Sequence, residues 1–236
     1  MINYRLQKCA SVSIKDCDWL LSLLSNFIMM NLRIPQIRYL AAIVATISLS
    51  FALYPSKSLM GQSSRVFNFL YFFTFISHYG AQFWMTFVAG LLLFFNLPRI
   101  WFGHVQSKLF PLFFCFGFVT SSVTIAIFAS HHKHGSHDVQ LQIAALLISL
   151  GADFINAFLL SPIIVESMLT RFSLEKKSGK AYEVGFTDLS ELLVNPEYAC
   201  VNRTFRLSHG LSGGINMIGL AANTFHLYHI AMTNDV

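Results

Sequence analysis

Charge is what this 236-residue chain has least of. Only 11% of its residues are Asp, Glu, Lys or Arg, against roughly 25% in an ordinary soluble domain. From residue 66 to residue 98 none of the four occurs. A soluble core of this length cannot hide such long uncharged apolar runs, so the composition excludes an ordinary globular protein and implies a polytopic membrane protein. Cysteine is also scarce. The four thiols show no CxxC pair, no metal-type spacing and no disulfide framework, and read as ordinary apolar or loop thiols. No basic stripe with interleaved aromatics lies on a soluble segment. The net charge of +5 therefore belongs to cations flanking membrane spans, and no nucleic-acid partner is expected.

What fills the chain instead is apolar sequence in long runs, with phenylalanine prominent at 24 copies. A spanning helix needs about 20 largely apolar residues, and four runs meet that at about 68–95, 109–130, 140–164 and 208–231. The expected fold class is all-α: a polytopic membrane helical bundle of four core transmembrane helices, with an N-terminal fifth span or signal anchor. Residues 1–60 form an N-terminal extension in this reading. Within it, residues 19–30 are too short to span and read as an interfacial helix, while residues 39–54 are a span, a signal anchor or a cleaved signal. Residues 61–236 form the four-span domain, with a cytosolic loop over 166–206. In that loop "TDLSELL" looks like a helix start capped by Thr187.

Loop charge orients the bundle. If residues 39–54 enter the membrane with the N-terminus in the cytosol, thirteen of the sixteen Lys and Arg fall on the cytosolic side, Arg99 and Lys108 among them; only Lys57, Arg65 and Lys133 fall opposite. If residues 39–54 stay outside, the two sides carry eight each and no orientation is preferred.

Four intramembrane polar residues form the leading candidate site. Asp153 falls near the middle of the third run, followed by Asn156, and His78 falls near mid-depth in the first, followed by Gln82. An ionisable group at that depth is costly unless paired or wet, so an Asp153–His78 hydrogen bond is expected, serving either a proton or solute relay or the ordering of the bundle. The histidines offer a weaker metal reading. "HHKHGSH" supplies His131, His132, His134 and His137, and "HLYH" places His226 and His229 one turn apart on one helical face. Gly210 and Gly214 in "HGLSGG" have the spacing that lets two membrane helices approach closely. A nucleophilic Ser212 with His209 has no strand–elbow–helix context here. No cofactor is expected, and an enzyme is the weakest of the functional readings.

One box remains unexplained by composition. "LPRIWFGHVQSKLFP" (97–111) reads as a tight cytosolic turn between the first two spans, with Pro98 and Pro111 near its ends. Together with "QFWMTFVAGLLLF" before it and "HGLSGGINM" near the C-terminus, it resembles the transmembrane protein 205 family in wording and order over about residues 75–227. The matching positions are Trp84, Thr86, Phe87, Gly90, Pro98, Arg99, Gly103, Gln106, Ser107, Lys108, Pro111, Asn156, Pro162, His209, Gly210, Ser212 and Asn216. The chain departs from the family pattern near Val165, where that pattern has Thr.

The resemblance implies a four-span family of undefined molecular activity, associated with cellular resistance to platinum drugs and without catalytic residues to transfer. Handling of a soft metal-like drug would draw on Met85, Cys115, Met168 and Met217. The expected function is transport or export of a solute or metal-like drug across an endomembrane or the plasma membrane, by a small bundle that a homo-oligomer would enlarge. The alternative is a scaffold or trafficking adaptor acting through the 166–206 loop.

Overall fold

The structure, a computed structural model, describes residues 60–131 and 136–233. The interfacial helix expected at 19–30, the span or anchor at 39–54, His132 and His134 lie outside the described residues.

The first helical rod is α1 (Met60–Trp84), a π-helical turn (Met85–Ala89) and α2 (Gly90–Asn96). Leu97 ends it in an extended conformation, φ −113° and ψ 142°, as expected of a residue before proline. A second rod, α3 (Arg99–His131), starts immediately after Pro98. α4 (His137–Phe154), a π-helical turn (Ile155–Leu160) and α5 (Ser161–Lys177) make a third continuous rod. Ser136 caps it by accepting a hydrogen bond from Val139 N, with Asp138 in the first turn against the positive helix end. Gly179 closes it at φ 79°, the left-handed position after the C-cap. A 3₁₀ turn (Lys180–Tyr182) and the short α6 (Ser190–Leu193) follow. α7 (Pro196–Thr233) then runs back along α4 and α5. Proline opens it, and the Asn195 side chain accepts from Glu197 N at 2.9 Å. Among the described residues no strand forms; Pro98 and Val184 share one isolated antiparallel bridge.

Three stretches, Arg65–Asn96, Arg99–His131 and His137–Lys177, are long and apolar enough to cross a membrane. α7 is long enough but less apolar and does not join them. The expected box of turn residues is corrected. Only Leu97 and Pro98 turn the chain; residues 99–111 are the first three turns of α3, and Pro111 lies inside that helix. The expected 166–206 loop shrinks likewise, because α5 extends to Lys177 and α7 begins at Pro196. At ~1.5 Å per residue, 41 residues of the third rod reach well beyond a ~30 Å hydrocarbon core. Thr187 does not cap α6. Leu189 stands at the N-cap without a side-chain bond, and Asp188 before it accepts from Ser190 N at 3.0 Å.

The amphipathic pattern is inverted relative to that of a soluble bundle. Along α1, Tyr71, Thr74, His78 and Gln82 recur every three or four residues on the buried face. Phe69, Phe73, Ile76 and Phe83 form the exposed face. Buried polar side chains meet this row from α3 (Thr120, Ser121, Thr124), α4 (Gln142, Ser149, Asp153) and α7 (Ser212, Asn216, Asn223, His226). Polar groups inside and aromatics outside suit a helix whose solvent is lipid.

Candidate functional site

The buried polar face makes a column of linked groups. At one end the Tyr71 hydroxyl and His226 Nε2 share a hydrogen bond of 2.6 Å, while His226 Nδ1 lies 2.8 Å from Gln142 Oε1. Phe75 and Phe128 face that ring edge-on at 5.2 and 5.1 Å. Next, the Thr74 and Thr124 hydroxyls meet at 2.9 Å. Below them His78 Nε2 approaches Asp153 Oδ2 at 3.2 Å, and Ser121 donates to the same oxygen at 3.1 Å. The expected Asp153–His78 partnership is therefore a contact in the fold, although the imidazole is not aligned for a hydrogen bond.

Gly117 makes that approach possible. A Cβ there would lie 2.7 Å from Asp153 Oδ1 and 3.2 Å from His78 Nε2. Gln82 belongs to a separate knot. Its amide donates to Asn216 O and Oδ1, both at 3.2 Å, and its oxygen accepts from Asn223 at 2.9 Å. Asn216 in turn donates to the Thr86 hydroxyl at 2.8 Å. Asn156 lies in the π-helical turn of the third rod, buried, with neither amide atom hydrogen-bonded to a described residue.

Where the rods reach past Pro98, the column opens into a cavity of about 990 Å³. Its floor holds a cluster that the sequence reading left in a soluble loop. Glu175, fully buried, receives Arg99 in a two-pronged pair, Nε to Oε2 at 2.9 Å and Nη2 to Oε1 at 3.0 Å. Arg171, one turn earlier on α5, brings its Nε to 3.3 Å from Glu175 Oε1, and Tyr198 donates to the same oxygen at 2.8 Å. Arg171 also stacks over Phe205 and Phe172, 4.2 and 4.8 Å from the ring centres. Burial, reinforced by the bond to Glu175, holds the Tyr198 phenol above the ordinary tyrosine range. The bond from Ser190 N holds the Asp188 carboxyl, at the cavity rim, below the ordinary carboxylate range. The signal in the sequence was the Arg171–Glu175 spacing of four, which puts both side chains on one helical face.

The box residues now have structural roles. Pro98 pairs with Val184, and Arg99 N donates to Glu183 O at 2.9 Å. Gly103 lets α3 cross α5, since a Cβ there would collide with the Phe172 ring. Gln106 lines the cavity with its amide oxygen unpartnered among the described residues. Ser107 donates only to His104 O of its own turn, and Lys108 is exposed. Thr86, Gly90, His209, Ser212 and Asn216 line the same cavity. Trp84 and Phe87 face outward, as does Gly210. Gly210 and Gly214 have nothing within 4 Å of a built Cβ, so the expected close helix approach falls instead at Gly219, 3.1 Å from Ala152 Cβ.

Other expectations scatter. His226 is engaged with Tyr71 and Gln142, His229 is half-buried one turn on, and the described residues hold no group of three or more His, Cys, Asp or Glu suited to a metal ion. Of the sulfur atoms, Met85, Met168 and Met217 line the cavity together, whereas Cys115 is a half-buried free thiol elsewhere on α3.

Long apolar helices, a polar interior and an aromatic exterior define an α-helical integral membrane protein. Residues 73–173 match a family model described as a domain of unknown function, DUF4149. The chain is 31% identical to transmembrane protein 205 of Danio rerio over 163 residues, covering 65% of this chain and 86% of that relative. It belongs to the transmembrane protein 205 family. No solved structure matches it.

Proposed function

We propose that the protein moves a solute across an endomembrane or the plasma membrane, taking it into the cavity beside Arg99 and coupling its passage to a proton held between Asp153 and His78. The carrying observation is the buried Asp153–His78–Ser121 contact in mid-bundle. An ion-pair-capable contact at that depth is expensive as mere scaffolding, and a carboxyl touching an imidazole can pass a proton. Unpartnered buried atoms of Ser149, Asn156 and Ser161 along the third rod support a path that rearranges. The π-helical turns beside the cavity (Met85–Ala89) and beside Asp153 (Ile155–Leu160) are natural places for such a change.

In this reading α7 is the fourth crossing of a four-helix core, with residues 39–54 a further N-terminal span or anchor. Exposed Leu207, Leu211, Ile218, Phe225 and Met232 on α7 support that crossing. A homo-oligomer would give the small bundle the bulk of a transporter, and no reaction is assigned to it. Three methionines on the cavity wall support a neutral platinum complex as one cargo, through thioether sulfur.

Purified protein in liposomes tests the proposal. Flux of a responsive solute should rise with an imposed proton gradient, and Asp153→Asn should cut it by about ten-fold or more. Undiminished flux in both Asp153→Asn and His78→Ala would end the relay idea.

A second reading has its own observation. Phe186 and Val194, in the connection between α5 and α7, are 86% and 82% exposed. An adaptor binding a partner through this segment would show no flux, and would lose that partner on Phe186→Ser with Val194→Ser.

A further inference from the structure

The cavity floor carries more positive charge than it neutralises. Arg99 and Arg171 share the single Glu175 carboxylate. All three residues are at least nine-tenths buried. At the rim Arg206 adds a cation and Asp188 an anion, so one positive charge remains in excess around the opening. Glu175 Oε1 already accepts from Arg99 and Tyr198, and Oε2 from Arg99. Arg171 Nε, although 3.3 Å from the carboxylate, makes no aligned hydrogen bond, and its Nη1 reaches only Asn202 Oδ1 at 3.5 Å. A buried guanidinium held this weakly is a donor awaiting an acceptor.

Two further buried polar groups line the same space without partners among the described residues, the Gln106 amide oxygen and the Thr187 hydroxyl. Gln106 can turn either end of its amide inward. The rest of the wall is apolar. Phe94, Phe102, Phe110, Phe113 and Met168 extend it toward the lipid-facing part of the bundle. A cavity of about 990 Å³ far exceeds one phosphate or carboxylate, and falls at the size of a tailed ligand.

We propose that this cavity binds an anionic amphiphile, with Arg171 and Arg99 holding a phosphate or carboxylate head and the phenylalanine wall taking the tail. Arginine suits that role because its planar donors match both oxyanions in pairs. The proposal rests on the transport reading for the cavity's role, while binding itself does not depend on flux. It also sets a charge preference: a cationic cargo would meet the excess positive charge.

Binding to the full-length protein in phosphatidylcholine nanodiscs separates the two questions. The probes are phosphatidic acid, dodecyl phosphate, inorganic phosphate and dodecyltrimethylammonium, read by native mass spectrometry and by shift of the unfolding temperature. Both phosphate amphiphiles should bind saturably, inorganic phosphate at least ten-fold more weakly, and the ammonium not at all. Binding of phosphatidic acid alone assigns a membrane lipid as the source; binding of dodecyl phosphate alone assigns a free acid. Either supports the site. Arg171→Gln should weaken binding ten-fold or more while Arg171→Lys retains part of it. Arg206→Gln, at the exposed rim, should weaken it several-fold with the Glu175 cluster intact, and this variant decides the matter if Arg171→Gln does not fold. Equal binding of cationic and anionic amphiphiles, equal binding of inorganic phosphate, or unchanged affinity in Arg206→Gln would overturn the proposal. Failed flux with intact binding would overturn only the transport reading.

Discussion

Glu175 is the residue on which the basic end of the bundle turns. It joins α3 through Arg99, α5 through Arg171 and α7 through Tyr198, and is itself fully buried. Removing one partner from such a group leaves the others charged and unpaired, which costs about 3–5 kcal/mol. Glu175→Gln should therefore lower the unfolding temperature in detergent strongly, whereas a Lys108→Gln change at an exposed site of the same box should leave it within about 0.5 kcal/mol of the parent. Legibility at this scale was uneven. Asp153 and His78 stood out because each interrupts an apolar run, and the fold brings them into contact. Glu175 did not, because it falls among Lys176, Lys177 and Lys180, where a carboxylate looks solvated. Only its partners, 76 and 23 residues away in the chain, reveal it as interior. Tyr71, Gln142 and Asn223 were missed for a different reason: uncharged polar residues in an apolar run raise no alarm unless their three-to-four spacing is traced around the helix.

At the scale of elements, the crossing of α3 over α5 depends on the absence of a side chain at Gly103. The ring it would strike, Phe172, is buried and lies beneath both Arg99 and Arg171. It has little room to retreat, so overpacking should cost about 1–3 kcal/mol in Gly103→Ala. Combining it with Phe172→Leu should recover part of that loss, and a thermal-unfolding double-mutant cycle measures the coupling. Helix positions were legible from apolar run length, but their ends were not. Run length reports where lipid is, whereas the rods continue past it: α3 begins ten residues before its expected span and α5 ends thirteen residues after. Pro111 misled in the same direction, since proline normally marks a boundary, yet here it is buried inside α3.

For the molecule as a whole, Pro98 and the 178–195 connection lie at one end, joined by the Pro98–Val184 bridge and the Arg99–Glu175 pair. An even number of crossings between them requires this, and both carry the basic residues that the charge count assigns to the cytosol. Asn202, in the sequon "NRT", belongs to the same end. It should stay unglycosylated when the chain is made with microsomes, while a sequon engineered into the connection between α3 and α4 should be modified. Glycosylation of Asn202 would reverse the orientation. The bilayer class was legible from charge scarcity alone, because no arrangement of tertiary contacts can supply missing charge. The depth of the polar column was not, since it exists only where four helices meet.

The inverted pattern of α7 bears on how the protein is made. Ser208, Ser212, Asn216, Asn223 and His226 are satisfied or sheltered only against α1, α3, α4 and α5. Emerging alone from the ribosome, this segment would carry those groups naked into lipid, and its partition into the bilayer would be poor. The three apolar rods do not share that difficulty. As the proposed fourth crossing, α7 would be a passenger of the earlier helices: they would enter first and offer it a polar seam, and its insertion would be the step at which the bundle closes. Lesions in that seam, such as loss of Gln82 or Gln142, would first appear as a chain whose last helix fails to integrate and is cleared by quality control, before any defect in cargo handling arises.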